Sequence, residues 1–231
     1  MHTLFDLLAL AAALGTGFAV YRWRLQAALT HTVARLDGHY FLFLSAGSIL
    51  GSYLFGTLNL YLSGVDGMGR SILGALFGAI VMVEFYKARK GIHGSTGYLY
   101  AAPFCVLISV GRIGCFLSGV QDNTHGSATT MPWGHDYGDH ILRHPVQLYE
   151  AFSMLLCLLC LLMLLRKHAH YVVHYGFYVC VGFYAAQRFV WEFFKPYATL
   201  AGGLNIFHFL CLLLMAYSIR MIAKTRSVAH P

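Results

Sequence analysis

The stretch "SVGRIGCFLSG", Ser109 to Gly119, is small or apolar at every position except Arg112. A charge at the centre of a bilayer costs at least ~2.5–3.5 kcal/mol on insertion scales, so an arginine in such a run marks function or close pairing if the run lies in lipid. The rest of the chain argues that it does. Of 231 residues, 58% are hydrophobic and 11% charged, whereas soluble domains carry about 25% charged residues. Seven apolar stretches reach or approach the ~17–25 residues that a hydrocarbon core requires. They are Leu4–Val20, Tyr40–Leu62, Ser71–Tyr86, Tyr98–Leu117, Pro145–Leu165, Tyr171–Phe194 and Leu204–Ile222, the third being short. The expected fold is an all-α integral membrane protein with seven transmembrane helices. It forms a single domain over residues 1–231 with one long polar loop, 119–143. The start, "MHTLFDLLAL", lacks a basic n-region, so no cleaved signal peptide is expected.

Charge placement orients the spans. Arg22, Arg24, Arg35, Lys87, Arg89, Lys90, Arg166, Lys167, Arg220, Lys224 and Arg226 fall on one side, with Arg70, Arg143 and Lys195 on the other. Arg112 and Arg188 complete the sixteen basic residues and lie inside spans. The positive-inside rule then puts the N-terminus outside and the C-terminus in the cytoplasm. A net charge of +7 reads as this topology signal, with some attraction to anionic lipid, and gives no reason to expect nucleic acid.

The same topology gives each buried polar residue a depth. The fourth span runs outward, so Arg112 lies toward its outer end. The fifth runs inward from Pro145, which puts His144 at the outer surface and Glu150 about two turns below. Tyr184, Arg188 and Glu192 follow at i, i+4 and i+8 on one face of the sixth span, and His208 opens the seventh. Two arginines, two carboxylates, a tyrosine and two histidines share one layer beneath the 119–143 loop. Two readings stay open. Arg112 and Arg188 pair internally with Glu150 and Glu192, or they hold an anionic head group, for which arginine's bidentate, permanently charged guanidinium is suited. Glu84 lies at the other end beside Lys87 and reads as a packing carboxylate.

All six cysteines lie within apolar spans, a distribution that favours packing over disulfides or zinc. "CLLC" at 157–160 reads as two small apolar residues of a Leu-rich helix. His125, His135 and His140 lack a compact ligand pattern. No metal and no cofactor is expected.

The motifs "GRIGCFLSG" (111–119), "RHPVQLYEA" (143–151) and "GFYAAQRFVWEFFK" (182–195) resemble the bacterial prolipoprotein diacylglyceryl transferase family, in order over about residues 40–220. "GRSILGALFGA" (69–79) and "HGSTGYLYAAPF" (93–104) resemble a divergent branch of it. The resemblance implies a seven-helix enzyme of the bacterial plasma membrane. Such an enzyme moves diacylglyceryl from phosphatidylglycerol to the lipobox cysteine thiol of a prolipoprotein, with glycerol phosphate leaving. It implies that Arg112 and Arg188 hold the lipid phosphate, and that Glu150, Glu192, Gly114, Gln147 and Lys195 belong to the substrate site. Lys195 stands where the family usually has arginine.

The departures bear on thiol activation. The family's HGG motif corresponds to Leu73–Ala75, so its histidine is replaced by Leu73. Cys115 replaces the asparagine of the GRxGNF signature, and Val120 a following glutamate. A thiol near pKa ~8.5 needs a base or a positive field to become a nucleophile. His144 is the first choice for that base, Tyr184 a proton relay, and His208 a weaker choice. The rival class is a non-enzymatic anionic-phospholipid binding protein or transporter on the same scaffold; transfer to a different acceptor is a further alternative.

Overall fold

A computed structural model describes residues 2–229, so Met1, His230 and Pro231 of the expected domain lie outside the described residues. The chain is mostly helical. Helix α1 (His2–Val20) continues through a π turn (Tyr21–Leu25) into α2 (Gln26–Val33). Then come α3 (Gly38–Leu62), α4 (Ile72–Lys90) and α5 (Tyr98–Leu117). After the long loop follow α6 (Val146–Lys167), the single turn α7 (Ala169–Tyr171), a π turn (Val172–Gly176), α8 (Phe177–Glu192) and α9 (Ile206–Ala229).

Five of these segments are long and apolar enough to cross a membrane: Thr3–Thr32, Gly38–Leu62, Tyr98–Leu117, Val146–Lys167 and Ile206–Ser227. They coincide with five of the seven expected spans. The other two fall on α4 and on α7–α8, and neither meets the same measure. Four charged residues, Glu84, Lys87, Arg89 and Lys90, crowd the last two turns of α4. In the other, the π turn leaves α8 with 16 residues, of which Arg188 and Glu192 are charged.

Apolar residues cover both faces of most helices, so packing is guided by small residues more than by hydrophobic contrast. The α3–α4 pair shows this best. Gly47 and Gly51 of α3 face Gly78 and Gly74 of α4, and a Cβ on Gly51 would collide with the Gly74 carbonyl oxygen. A Cβ on Gly78 would meet the Gly47 carbonyl in the same way. Two G-x-x-x-G faces thus interlock backbone to backbone. Local signals set the ends of α4. The Ser71 hydroxyl accepts from the Gly74 N–H at 3.1 Å, and Gly91 stops the helix at φ 62°. The other close pairs are α1 on α5, α5 on α6 and α8 on α9. Leu73, Tyr98, Ile108, Met154, Tyr184 and Leu214 lie fully buried among these helices.

The 119–143 loop is ordered. His135–Asp136 pairs antiparallel with Leu142–Arg143, and Asp136 Oδ1 closes the turn by accepting from the N–H groups of Gly138, Asp139 and His140 at 2.8, 3.1 and 3.0 Å. These bonds, that of Gly138 foremost, hold the Asp136 carboxyl below its usual range. The Arg143 guanidinium, 2.7 Å away, does the same for Asp139.

Candidate functional site

Glu150 is the centre of the site. It points inward from α6 with no exposed surface and meets three cations. Arg188 Nη1 approaches its two oxygens at 2.9 and 3.1 Å, Lys195 Nζ donates at 2.7 Å, and Arg112 Nε contacts Oε2. Arg188 also turns its Nε to Glu192 at 2.9 Å, one helical turn along α8, and Lys195 lies 3.8 Å from the same carboxylate. Helix α5 thus supplies Arg112, α6 supplies Glu150, and α8 with its C-terminal extension supplies Arg188, Glu192 and Lys195. All five side chains are at least nine-tenths buried.

Buried charge of this kind is retained when each ion has partners, because the desolvation cost is large. Here three cations face two carboxylates, so these five side chains carry one positive charge in excess. Tyr184 sits one turn below Arg188 on the same face. Its ring is edge-on to Phe104 at 5.0 Å, and its hydroxyl is buried without a hydrogen-bond partner among the described residues. Gln147 is also fully buried. Its Oε1 accepts from the Tyr137 hydroxyl of the loop at 3.0 Å, while its Nε2 has no partner among the described residues. A buried donor left unmade costs about 1–3 kcal/mol, and these two stand beside the cation excess.

Asn205 and His208 complete the layer from α9. The Asn205 side chain accepts from the N–H groups of Phe207 and His208 at 3.0 and 3.2 Å, and His208 Nδ1 accepts from the Asn205 N–H at 3.1 Å. This is a reciprocal helix cap with histidine in the third position. Asn205 Nδ2 then donates to Glu192 at 3.3 Å, tying the cap to the ion cluster. Asn205 and Tyr137 escaped the sequence reading. The signals were an Asn three residues before a His at a helix start, and an aromatic residue in a polar loop.

Two expected site residues lie elsewhere. The His144 side chain turns to the α6–α8 junction, with Nδ1 3.2 Å from the Tyr149 hydroxyl and its ring against Phe194 at 4.9 Å. Its backbone is bonded to Gly126 and Ser127 of the loop, each at 3.0 Å. Gly114 faces away from the cluster toward α1, and a Cβ there would collide with Phe5. Leu73, at the position of the absent histidine, is 1% exposed in the apolar core.

Apolar space is linked to this layer through Phe104, which packs on Tyr184. A cavity of 280 Å3 runs between α3, α4 and α5 and is lined by Phe104 and Leu107 near Tyr184. At its far end Glu84 accepts from Lys87 at 2.8 Å and from Tyr217 at 2.9 Å, as the packing reading of Glu84 anticipated. One group of side chains has metal-ligand spacing among the described residues: Cys105, Cys157 and Cys180. The sequence had suggested packing cysteines and no metal ligands.

The chain matches the family model described as prolipoprotein diacylglyceryl transferase over residues 6–224. Three similar proteins bear the name phosphatidylglycerol–prolipoprotein diacylglyceryl transferase. That of Geobacter sulfurreducens is 34% identical over 164 residues, 64% of this chain and 59% of the relative. That of Campylobacter lari is 45% identical over 85 residues, covering 37% and 30%. The protein from the Wolbachia of Culex pipiens is 43% identical over 93 residues, covering 37% and 34%. The matched stretches therefore span from about a third to three-fifths of these relatives' lengths. No solved structure matches the chain.

Proposed function

The chain belongs to the prolipoprotein diacylglyceryl transferase family, and from that premise we propose that it transfers a diacylglyceryl group from phosphatidylglycerol to the lipobox cysteine thiol of a prolipoprotein. The observation that carries the reading is the buried excess of three cations over two carboxylates around Glu150; the apolar cavity meets this layer through Phe104, which packs on Tyr184. A phosphodiester monoanion brings the one negative charge that Arg112, Arg188 and Lys195 lack, and acyl chains suit the cavity walls. Gln147 Nε2 and the Tyr184 hydroxyl offer neutral donors to its oxygens. Glu150 and Glu192 fix the cations in place.

In the reaction, the thiolate sulfur attacks the glyceryl carbon that bears the phosphate. The S–C bond forms as the C–O bond breaks, and glycerol phosphate departs with the charge that develops on its oxygen. Preorganised cations in a water-poor site stabilise such developing charge more than bulk solvent does. The thiol proton goes to His144, with Tyr184 as relay, once acceptor binding draws the two together. The positive field of the arginines lowers the thiol's own demand for a base. Gly114 supports the site by letting α1 close on α5.

We place the protein as a seven-span, multi-pass protein of the bacterial plasma membrane. Its N-terminus is outside, its C-terminus cytoplasmic, and the site lies at the outer leaflet. In support, α4 and α7–α8 lie side by side with the five apolar spans, and the eleven-to-three division of loop charges favours this hand.

The test is incubation of the purified protein with phosphatidylglycerol and a lipobox peptide, followed by mass spectrometry. A peptide whose cysteine gains a diacylglyceryl group supports the transferase. Phospholipid that moves between leaflets with the peptide unmodified favours the transporter, for which buried Leu73 in place of a base is the supporting observation.

A further inference from the structure

We infer that Cys105, Cys157 and Cys180 form a three-coordinate thiolate site for a soft monovalent metal ion of the copper(I) class. The residues come one each from α5, α6 and α8, and their sulfurs all lie within 4.8 Å of one another. Cys105 and Cys180 approach to 3.5 Å, and all three are free thiols. Metal–thiolate bonds of about 2.3 Å in a trigonal plane set the sulfurs roughly 4.0 Å apart. The observed separations, 3.5 Å for Cys105–Cys180 and none above 4.8 Å, bracket that spacing, so an ion enters with only small adjustments of the side chains.

The donor set selects the metal. It is all sulfur, and no His, Asp or Glu joins the group among the described residues. Soft thiolates select copper(I), whereas structural zinc sites are almost always four-coordinate. There is also a way in. Cys157 is half-buried, and with Cys160, Cys180, His168, Tyr175 and Arg226 it lines a cavity of 780 Å3.

Charge is managed by position. Binding replaces thiol protons with the metal and leaves a net negative cluster in an apolar interior. Cys105 precedes Arg112 by seven residues on α5, Cys157 follows Glu150 by seven on α6, and Cys180 precedes Arg188 by eight on α8. The thiols therefore lie about two turns, roughly 10–12 Å, from the ion cluster and on the same helix faces. Its excess positive charge opposes the charge of the occupied site.

The experiment uses the full chain, reduced and in detergent, titrated anaerobically with copper(I) against a colorimetric chelator of known affinity. The expected result is one copper(I) per chain, with a three-sulfur shell near 2.3 Å by X-ray absorption. Cys105→Ser, Cys157→Ser and Cys180→Ser should each weaken binding at least tenfold, and Cys115→Ser, Cys160→Ser and Cys211→Ser should leave it unchanged. Cys157 is the least buried of the three, so Cys157→Ser, checked for retained helix by circular dichroism, decides the matter if the other two variants fail to fold. Absence of copper(I) uptake by the reduced protein overturns the assignment. So does uptake that survives Cys157→Ser, or a Cys105–Cys180 disulfide in protein that takes up no copper(I) after reduction.

Discussion

Glu150→Gln separates the two jobs of the ion cluster. The change keeps the shape of the side chain and removes one negative charge that three cations share at 2.9 Å or less, two of them Arg188 and Lys195. Three cations are then left with Glu192 alone, and the local excess rises from one positive charge to two. Removing one partner from a buried ion pair costs about 3–5 kcal/mol. For a chain of this size each kcal/mol shifts Tm by about 2–4 °C, so Tm should fall by roughly 6–20 °C. Affinity for an anionic phospholipid should move the other way and rise, because the lipid phosphate now replaces the missing carboxylate. Thermal unfolding in neutral detergent, followed with and without phosphatidylglycerol, reads both effects. The lipid should restore most of the lost stability in Glu150→Gln and much less in the wild type, by the usual linkage of binding to folding. A variant with unchanged Tm, or one that phosphatidylglycerol stabilises no better than phosphatidylethanolamine does, refutes this account of Glu150.

Arg112→Ala and Arg188→Ala should each weaken phosphatidylglycerol binding roughly ten- to hundredfold in folded protein, since charge-assisted hydrogen bonds contribute about 1.5–3 kcal/mol; unchanged affinity leaves only internal pairing. His144→Gln should keep lipid binding and lower turnover about 10²–10⁴-fold in the peptide assay, and near-normal turnover would move the base elsewhere. Gly78→Leu should cost more than the ~1–3 kcal/mol of ordinary overpacking, because it drives a side chain into the Gly47 backbone. Gly38→Ala, which meets open space, should be neutral, and comparable yields of both would contradict the seam. The depressed carboxyl groups of Asp136 and Asp139 stabilise the loop above their ordinary value of 3.8, and the effect is lost as pH falls through their lower folded values. Amide hydrogen-exchange protection of residues 135–143, corrected for the intrinsic rate at each pH, should therefore hold from neutrality down to about pH 4 and fail below it, and protection already lost well above pH 4 would contradict this account.

The ion cluster was legible because depth and face are both written in a helical membrane sequence. Once the spans are drawn, Arg112, Glu150 and Arg188 can only share a layer, and i, i+4 spacing aligns Glu192 with Arg188. Rotation between helices that are distant in sequence is not written there. Hence the meeting of Cys105, Cys157 and Cys180 was invisible, and Cys157 was read with its neighbour Cys160 when its partners lie on α5 and α8. The orientations of Gly114 and His144 were unreadable for a related reason. Each sits inside a site motif, yet Gly114 serves the packing of α1, and the His144 ring is drawn toward Tyr149 and Phe194. The loop's polar composition gave no sign of its hairpin, which rests on three backbone bonds to one carboxylate.

The glycine seam between α3 and α4 governs how the bundle can deform. Side chains between two helices act as a compliant layer that changes rotamer and lets the helices slide, and this seam has none where Gly51 meets Gly74 and Gly47 meets Gly78. The two helices therefore move as a single plate. Tyr40, Leu44 and Ser48 on one helix and Ile72, Leu76 and Val83 on the other line the same side of the 280 Å3 cavity. Any widening of that cavity must open between this plate and the helices that form its other walls, α5 among them, where flexible side chains such as Phe104 and Leu107 supply the give, and not by parting α3 from α4.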